Sequence, residues 1–129
     1  MSDLLALRDA IVVNLKAHLA VPVLKQVTPK TPLPYVRVSQ IAGRRRELNA
    51  AGLAFATTMR LYAETAKGHA DEAWTLAHQV VRQLDRARFV IAPHEMTDIV
   101  VTQQASVVDI GLQLESVAID LSTVLVSGD

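Results

Sequence analysis

The fold of this chain follows from residues 55–62, Phe-Ala-Thr-Thr-Met-Arg-Leu-Tyr, where largely apolar positions alternate with polar ones. The two alternating sets are Phe55, Thr57, Met59 and Leu61 on one side and Thr58, Arg60 and Tyr62 on the other. A period of two is typical of a β-strand that has one face in a core and the other in solvent. A second stretch, residues 35–41, is rich in β-branched and aromatic side chains and alternates in part. We therefore predict two strands that pair antiparallel.

The segment between these strands, residues 42–53, is too long and too polar for a tight turn. It contains the one dense cationic run of the chain, Arg44, Arg45 and Arg46, followed by Glu47. We predict a projecting loop, and loops of this length often carry function. These four residues are the candidate contact site. Contact with protein or solvent is favoured over contact with nucleic acid, because Glu47 follows at once and no aromatic residue interleaves.

Two segments have the three- and four-residue apolar spacing of amphipathic helices. The first covers residues 3–19, where Ser2 or Asp3 can cap the N-terminus and Pro22 follows the end. The second covers residues 69–87. Trp74 falls on the apolar side of the second helix, so we expect it in the core rather than at a binding surface.

The remaining segments are connections and short strands. Residues 28–34 contain three prolines, whose missing amide donors and restricted φ favour an extended connector, and residues 21–27 are a candidate edge strand. After the second helix we predict strands at 89–91 and 96–104, separated by a turn at 93–94. A last strand runs from a turn at 109–111 to Val126. Its apolar alternation changes phase near Glu115 and Ser116, for which a β-bulge would account.

The resulting order is helix, strands, helix, strands, without the regular βαβ alternation that would demand a parallel sheet. The predicted fold class is α+β, with an antiparallel or mixed β-sheet and two α-helices packed on one face. A chain of 129 residues can bury a hydrophobic core without metals or disulfides. We expect residues 1–129 to form a single domain.

Charge and composition argue against several classes of function. Thirteen Lys and Arg residues balance thirteen Asp and Glu residues, so the chain as a whole has no attraction to nucleic acid or to an anionic membrane. The absence of cysteine excludes thiol nucleophiles and cysteine-based metal sites. Because the sequence has no run of 18 apolar residues and no basic N-terminal region, we expect neither a membrane partner nor secretion through a signal peptide.

The histidines and nearby carboxylates are the candidates for acid–base or metal chemistry. His69 and Glu72 are spaced to share a helix face, but a structural zinc site needs further convergent ligands. His94, Glu95 and Asp98 lie near a predicted turn, with no accompanying nucleophile or oxyanion motif. Glycine-rich phosphate-binding loops are also missing from the sequence. We predict no catalytic site, no metal and no cofactor.

The order and spacing of these elements resemble the tail-completion or tail-terminator proteins of long-tailed bacteriophages and gene transfer agents. The similarity begins with a helix rich in Leu and Ala, a proline-rich connector that ends in Pro-Tyr-Val-Arg-Val at residues 34–38, and the polar loop. It continues with Thr-Thr-Met-Arg-Leu-Tyr-Ala at residues 57–63, an alanine-rich helix and a closing hairpin. The resemblance covers residues 4–126. Within this range the sequence departs from the family pattern at Arg44 to Arg46 and around residues 107–114.

The resemblance implies a structural virion protein of one tail-terminator-like domain, and not an enzyme. Such a subunit forms a hexameric ring at the head-proximal end of the phage tail tube, terminates tube polymerisation and joins the tail to the head connector. The implied partners are other copies of the chain, the tail tube protein and the head–tail connector or stopper protein. Non-specific contact with DNA passing through the lumen is also implied. The protein would be assembled in the cytoplasm of the bacterial host and reside in the tail or neck of the virion.

Two other functions remain compatible with the sequence. A head-to-tail stopper or adaptor protein of the neck is a neighbouring structural role. A small-ligand or enzyme domain is the alternative from a different class, and it would need a pocket in which His94, Glu95 and Asp98 converge.

Overall fold

The computed structural model describes residues 2–28, 30–48, 52–91, 95–107 and 113–126. Within these ranges the chain forms two helices, α1 (Ser2–His18) and α2 (Ala70–Leu84), and six strands. The strands are β1 (Val23–Leu24), β2 (Tyr35–Leu48), β3 (Gly52–Ala66), β4 (Glu95–Met96), β5 (Val100–Val107) and β6 (Leu114–Val126). Neither of these helices is long and apolar enough to cross a membrane.

The strands form one sheet in the order β1, β2, β3, β6, with β4 and β5 both paired to β6. β1 runs parallel to β2, and the other pairs are antiparallel. Because β3 occupies one edge of β6, β4 and β5 follow each other along the opposite edge. The centre of the sheet is therefore made of the long strands β2, β3 and β6, and shorter strands lie on either side.

Both helices pack on one side of the sheet, which we call the helix face. α1 contacts β1 and β2, and α2 contacts β3, β5 and β6. The apolar sides of the helices and the inward side chains of the long strands form the core, in which many side chains are fully buried. These include Leu7, Ile11, Leu15, Val36, Leu61, Val80, Leu84, Ile119 and Leu121. Full burial of an aliphatic side chain of this size stabilises the fold by about 1.5–3 kcal/mol.

The predicted fold class is confirmed, since the chain is α+β and its two helices lie on one face of a mixed sheet. The alternation in residues 55–62 is confirmed as well. Met59 and Leu61 are buried on the helix face, whereas Arg60 and Tyr62 lie on the opposite side, which we call the outer face. The two observed helices end within one turn of the predicted ends at Leu19 and Ala87.

The predicted loop at residues 42–53 is wrong. β2 continues to Leu48 and β3 begins at Gly52, and the register runs unbroken from Ile41 opposite Met59 to Leu48 opposite Gly52. Charged residues are depleted in strands, which is why the arginine run favoured a loop. At the edge of an antiparallel sheet, however, charges are tolerated because they can stay in solvent. Only residues 49–51 connect the strands, and they lie outside the described residues.

The predicted bulge near Glu115 and Ser116 is also wrong. β6 pairs with β3 without a shift in register from Leu114 to Val126. The phase change in the sequence arises because Leu114 is a half-buried residue of the outer face, whereas Val117 begins the series of helix-face residues. Register shifts occur instead in the neighbours, between Val38 and Ile41 of β2 and between Val101 and Gln103 of β5.

The predicted strands at 89–91 and 96–104 are only partly present. Ile91 forms an isolated bridge, and the second strand is broken into β4 and β5. The break occurs because the Ile99 amide donates to the Ala87 carbonyl at 2.9 Å, and the Ile99 carbonyl accepts from the Arg86 amide at 2.7 Å. These bonds tie Ile99 to the residues that directly follow α2. The predicted turns at 93–94 and 109–111 lie outside the described residues.

Two smaller expectations also differ from the structure. The candidate edge strand at residues 21–27 shrinks to β1, and the proline-rich connector contains a turn in which the Thr31 amide donates to the Thr28 carbonyl at 3.0 Å. Trp74 is not in the core, because 40% of its surface is exposed. The buried stripe of α2 consists of Ala73, Leu76, Ala77, Val80 and Leu84, and Trp74 lies beside it.

Candidate interaction surface

One side of β2 forms a long open strand edge. β1 pairs with β2 only at Val36 and Arg37. Among the residues that the structure describes, no strand pairs with this side of residues 39–48, which we call the β2 edge. The candidate residues Arg44, Arg45, Arg46 and Glu47 belong to this edge. The structure thus places them on a regular strand at the border of the sheet.

The geometry of the four candidate residues follows from their pairing with β3. Arg44 lies opposite Ala56 and Arg46 lies opposite Ala54, with Arg45 between them opposite Phe55. Arg44 has an exposed side chain on the outer face. Gly43, next to it, allows α1 to approach the sheet, because a Cβ at this position would lie 3.0 Å from Cδ1 of Leu4. Leu4 is in the first turn of α1, so residues 44–48 extend beyond the start of that helix.

The other border of the sheet is formed by β5. Its first residues are covered, since the Val101 amide donates to Oδ1 of Asp85 at 3.1 Å and residues 86–87 pair with Ile99. Residues 102–107, which we call the β5 edge, pair with β6 on one side only within the described part of the chain. Sequence reasoning identified a strand here but not its position at the border, because that position depends on pairing between distant segments.

The outer face carries two ion pairs that the sequence analysis did not identify. Nε of Arg37 donates to Oε1 of Glu64 at 2.8 Å, and its guanidinium lies 4.2 Å from the centre of the Tyr62 ring. Burial would lower the pKa of Arg37, but the hydrogen bond and charge of Glu64 outweigh burial and raise it. Glu64 is buried, so the ion pair with Arg37 holds in place the side chains that cover the outer face next to β1.

Tyr35 completes this cluster. It lies opposite Glu64 in the register of β2 and β3, and it is almost fully buried. Burial, followed by the nearby charge of Glu64, raises the pKa of Tyr35 to about 12. The tyrosine therefore stays neutral and acts as part of the scaffold.

The second ion pair lies at the centre of the outer face. Nε and Nη2 of Arg60 donate to the two carboxylate oxygens of Asp120 at 2.6 and 3.0 Å. This carboxylate raises the pKa of Arg60. A depression of about 350 Å³ adjoins the pair over Ala42 and Thr58. Its charged groups already satisfy each other, and nothing in the depression resembles a nucleophile with its base.

The candidate chemical groups do not converge in the structure. Nδ1 of His69 lies 3.2 Å from Oε2 of Glu72, but both side chains are more than half exposed. Asp98 is paired with Nη2 of Arg88 at 2.9 Å, and His94 lies outside the described residues. No group of three or more residues that could bind a metal ion occurs in the described part of the chain.

Comparison with known proteins identifies the family of this chain. The family model described as tail completion protein gp17 matches residues 6–125, which is nearly the whole sequence. The chain belongs to the tail completion protein gp17 family. The resemblance inferred from the order of elements is thereby confirmed. Tail completion proteins are structural components of virions, so this protein is a structural protein of a phage tail or neck and not an enzyme.

A solved structure shares the fold of this tail completion protein. A chain from the virion of a native gene transfer agent (GTA) particle superposes with a TM-score of 0.73 and is 16% identical in sequence. The match covers 97% of this chain and 92% of that chain. At this identity the likeness shows that the arrangement of helices and sheet is shared. No curated protein matches the sequence.

Proposed function

We propose that this tail completion protein forms a closed hexameric ring at the head-proximal end of the tail tube. The ring terminates polymerisation of the tube protein and joins the tail to the head connector or stopper. Its partners are other copies of the chain, the last tube ring and the connector, and DNA passes through its lumen. The observation that carries this proposal is the family match over residues 6–125.

The shape of the sheet supports a ring. The β2 edge and the β5 edge lie on opposite borders of the same sheet and differ in sequence. A contact between two different surfaces of identical subunits is heterologous, and heterologous contacts generate rings when the rotation closes. A subunit with two unlike borders therefore suits a cyclic assembly better than a two-fold dimer.

The arginine run suits a contact between subunits more than strong DNA binding. Arg44, Arg45 and Arg46 belong to the border of the sheet, where a neighbour in a ring would approach. A contact with the tube or with DNA in the lumen comes second, because the chain as a whole carries no net charge. The passage of DNA also requires weak contacts, since tight phosphate binding would hold the genome in the neck.

The proposal is tested by deleting the gene and imaging the particles. We expect heads without attached tails and tails of irregular length, because polymerisation of the tube would no longer be terminated. Complementation with the intact gene should restore tails of one length. In complemented particles, electron microscopy should show density for this chain as a six-fold ring between the last tube ring and the connector.

Two outcomes would contradict the proposal in different ways. Tails of normal length that fail to join heads would indicate a stopper or adaptor role. Any stoichiometry that does not form a ring matched to the symmetry of the tail would exclude the ring itself.

A further inference from the structure

Within the described part of the chain, the β2 edge is a long border of the sheet without a partner strand. Residues 39–48 present backbone amides and carbonyls along one side, beyond the two residues that β1 covers. Open edges of this kind are templates for pairing with another strand, and proteins usually shorten or cover them. In this chain the edge carries Arg44, Arg45, Arg46 and Glu47, which discourage pairing with a like edge and leave the backbone open to an uncharged strand.

The β5 edge lacks the protection that a permanently free edge requires. Residues 102–107 read Thr-Gln-Gln-Ala-Ser-Val and contain no charge and no proline. Lysine and proline are the residues by which monomeric proteins keep edges from associating. Gln103 and Val107 are exposed there. The β5 edge is therefore also suited to pairing.

The directions of the strands fit these two edges to each other. β2 runs antiparallel to β3, β3 to β6, and β6 to β5. Across these four strands the direction alternates, so β5 runs opposite to β2. If the axis of the ring runs nearly along the strands, each strand has the same direction in every subunit, so β5 of one subunit also runs opposite to β2 of the next. In a ring with such an axis, β5 of one subunit meets β2 of the next in the antiparallel orientation.

We propose that the β2 edge of each subunit pairs antiparallel with the β5 edge of the next copy, so that the sheets of neighbouring subunits become continuous. This inference rests on the proposed ring and identifies the surfaces that close it. The arginine run then begins near Thr102, at one end of the uncharged β5 edge of the neighbour. Pairing of two β2 edges would instead oppose two arginine runs, and like charges directly opposite each other are destabilising.

Engineered disulfides test the pairing directly, because the natural chain has no cysteine. Ala42 is exposed on the outer face of β2, and Gln103 and Ala105 lie on the same face of β5, opposite Asp120 and Ala118. Opposed residues in an antiparallel ladder have Cα atoms about 4.5–5.5 Å apart, within the range that a disulfide bridges. The double variants A42C/Q103C and A42C/A105C sample two registers.

The variants are expressed in host cells in place of the natural chain, and purified tailed particles are oxidised and separated without reductant. We expect at least one double variant to give a ladder of covalent oligomers up to the hexamer. Each single variant should stay monomeric, because its cysteine faces a strand without one. The matched control A42C/H78C carries its second cysteine at an exposed position of α2 and should give no ladder.

The outcomes separate the two proposals. A ring that is visible by electron microscopy but gives no ladder with either double variant would overturn the edge pairing and leave the proposed function standing. Absence of any ring of this chain from the particles would overturn both.

A charge test provides a second measurement that does not depend on cysteine geometry. Gln103→Lys places a cation opposite or diagonal to the neighbour's Arg44, whereas Gln103→Glu places an anion there. We expect a several-fold loss of joined particles with Gln103→Lys and no loss with Gln103→Glu. Gln79→Lys, the same change on an exposed turn of α2, is the control and should join normally. Equal effects of the two Gln103 variants would contradict the pairing.

Discussion

Single residues determine how the elements of this protein pack against each other. Gly43 is the clearest case, because Leu4 of α1 occupies the space that a side chain would take. Glu64 is a second case, since a buried carboxylate is tolerated only with the Arg37 guanidinium beside it. Gly43 falls in the predicted loop and Glu64 lies just beyond the predicted alternation, and the contacts of both come from segments far away along the chain.

Gly43→Val should destabilise the protein by about 1–2 kcal/mol, because its methyl groups would press on Leu4. In a Leu4→Ala background the same change should no longer destabilise, since the space is open. The free energy of unfolding can be measured with urea through the fluorescence of Trp74, the single tryptophan. An equal loss in both backgrounds would show that Leu4 is not the obstacle.

Tyr35 should make stability depend on alkaline pH. Its pKa in the folded protein is about 12, above the ordinary value of 10, so the folded state keeps the proton to higher pH than the unfolded state. The stabilisation is complete below pH 10 and is lost as pH rises from 10 to 12. Between pH 9 and 11 the natural protein should lose about 1 kcal/mol more than Tyr35→Phe. Identical losses in the two proteins would contradict the raised pKa.

At the scale of elements, the helices follow local periodicity and the strands follow their partners. The buried stripe of α2 matches the apolar spacing in the sequence, although Trp74 at its margin is exposed. β2 extends through Gly43 and the arginine run because β3 offers a continuous partner as far as Gly52. Backbone hydrogen bonds to a long neighbour outweigh the weak β-propensity of charged residues.

Replacement of Arg44, Arg45 and Arg46 together with Ser tests the function of the β2 edge. Surface substitutions usually change stability by no more than about 0.5 kcal/mol each, so the monomer should remain folded. Ring formation or tail joining should be impaired, which can be measured as the fraction of heads that carry tails.

The matched control for the arginine variant removes three exposed cations elsewhere, by changing Lys30, Lys67 and Arg82 to Ser. It alters the net charge equally and should join tails normally. If the arginine variant assembles infectious particles at the normal rate, the run is only a solvated part of the strand.

At the scale of the whole molecule, few features favour strong association of the free subunit. Among the described residues, the exposed large apolar side chains belong to α1, α2, β5 and the segment that follows α2. They are Leu5, Val13, Trp74, Val90 and Val107. With no net charge and no coiled-coil seam in the chain, we expect the proposed edge pairing to be a weak contact until the tube end brings the copies together.

The purified protein should therefore be monomeric or weakly associated and should form the ring only on the tail. Sedimentation velocity over a range of concentrations would measure this, with the isolated tail as the comparison. A hexamer that persists on dilution to low concentration would show that the subunit contact does not need the tube as a template.

The sequence by itself determined the α+β class, the order of the main elements, both helices and the buried face of β3. These features depend on the spacing of apolar residues within one segment, and that spacing is local information. The order of elements also sufficed to identify the family.

Only the tertiary structure decided the extent of the β2–β3 hairpin, the position of the bulges and the exposure of Trp74. It also decided the ion pairs Arg37–Glu64 and Arg60–Asp120. Each depends on which distant segments lie side by side, and the period of a strand is the same whatever its partner. The two open edges were hidden for the same reason, since a strand becomes a border only when the sheet that contains it is complete.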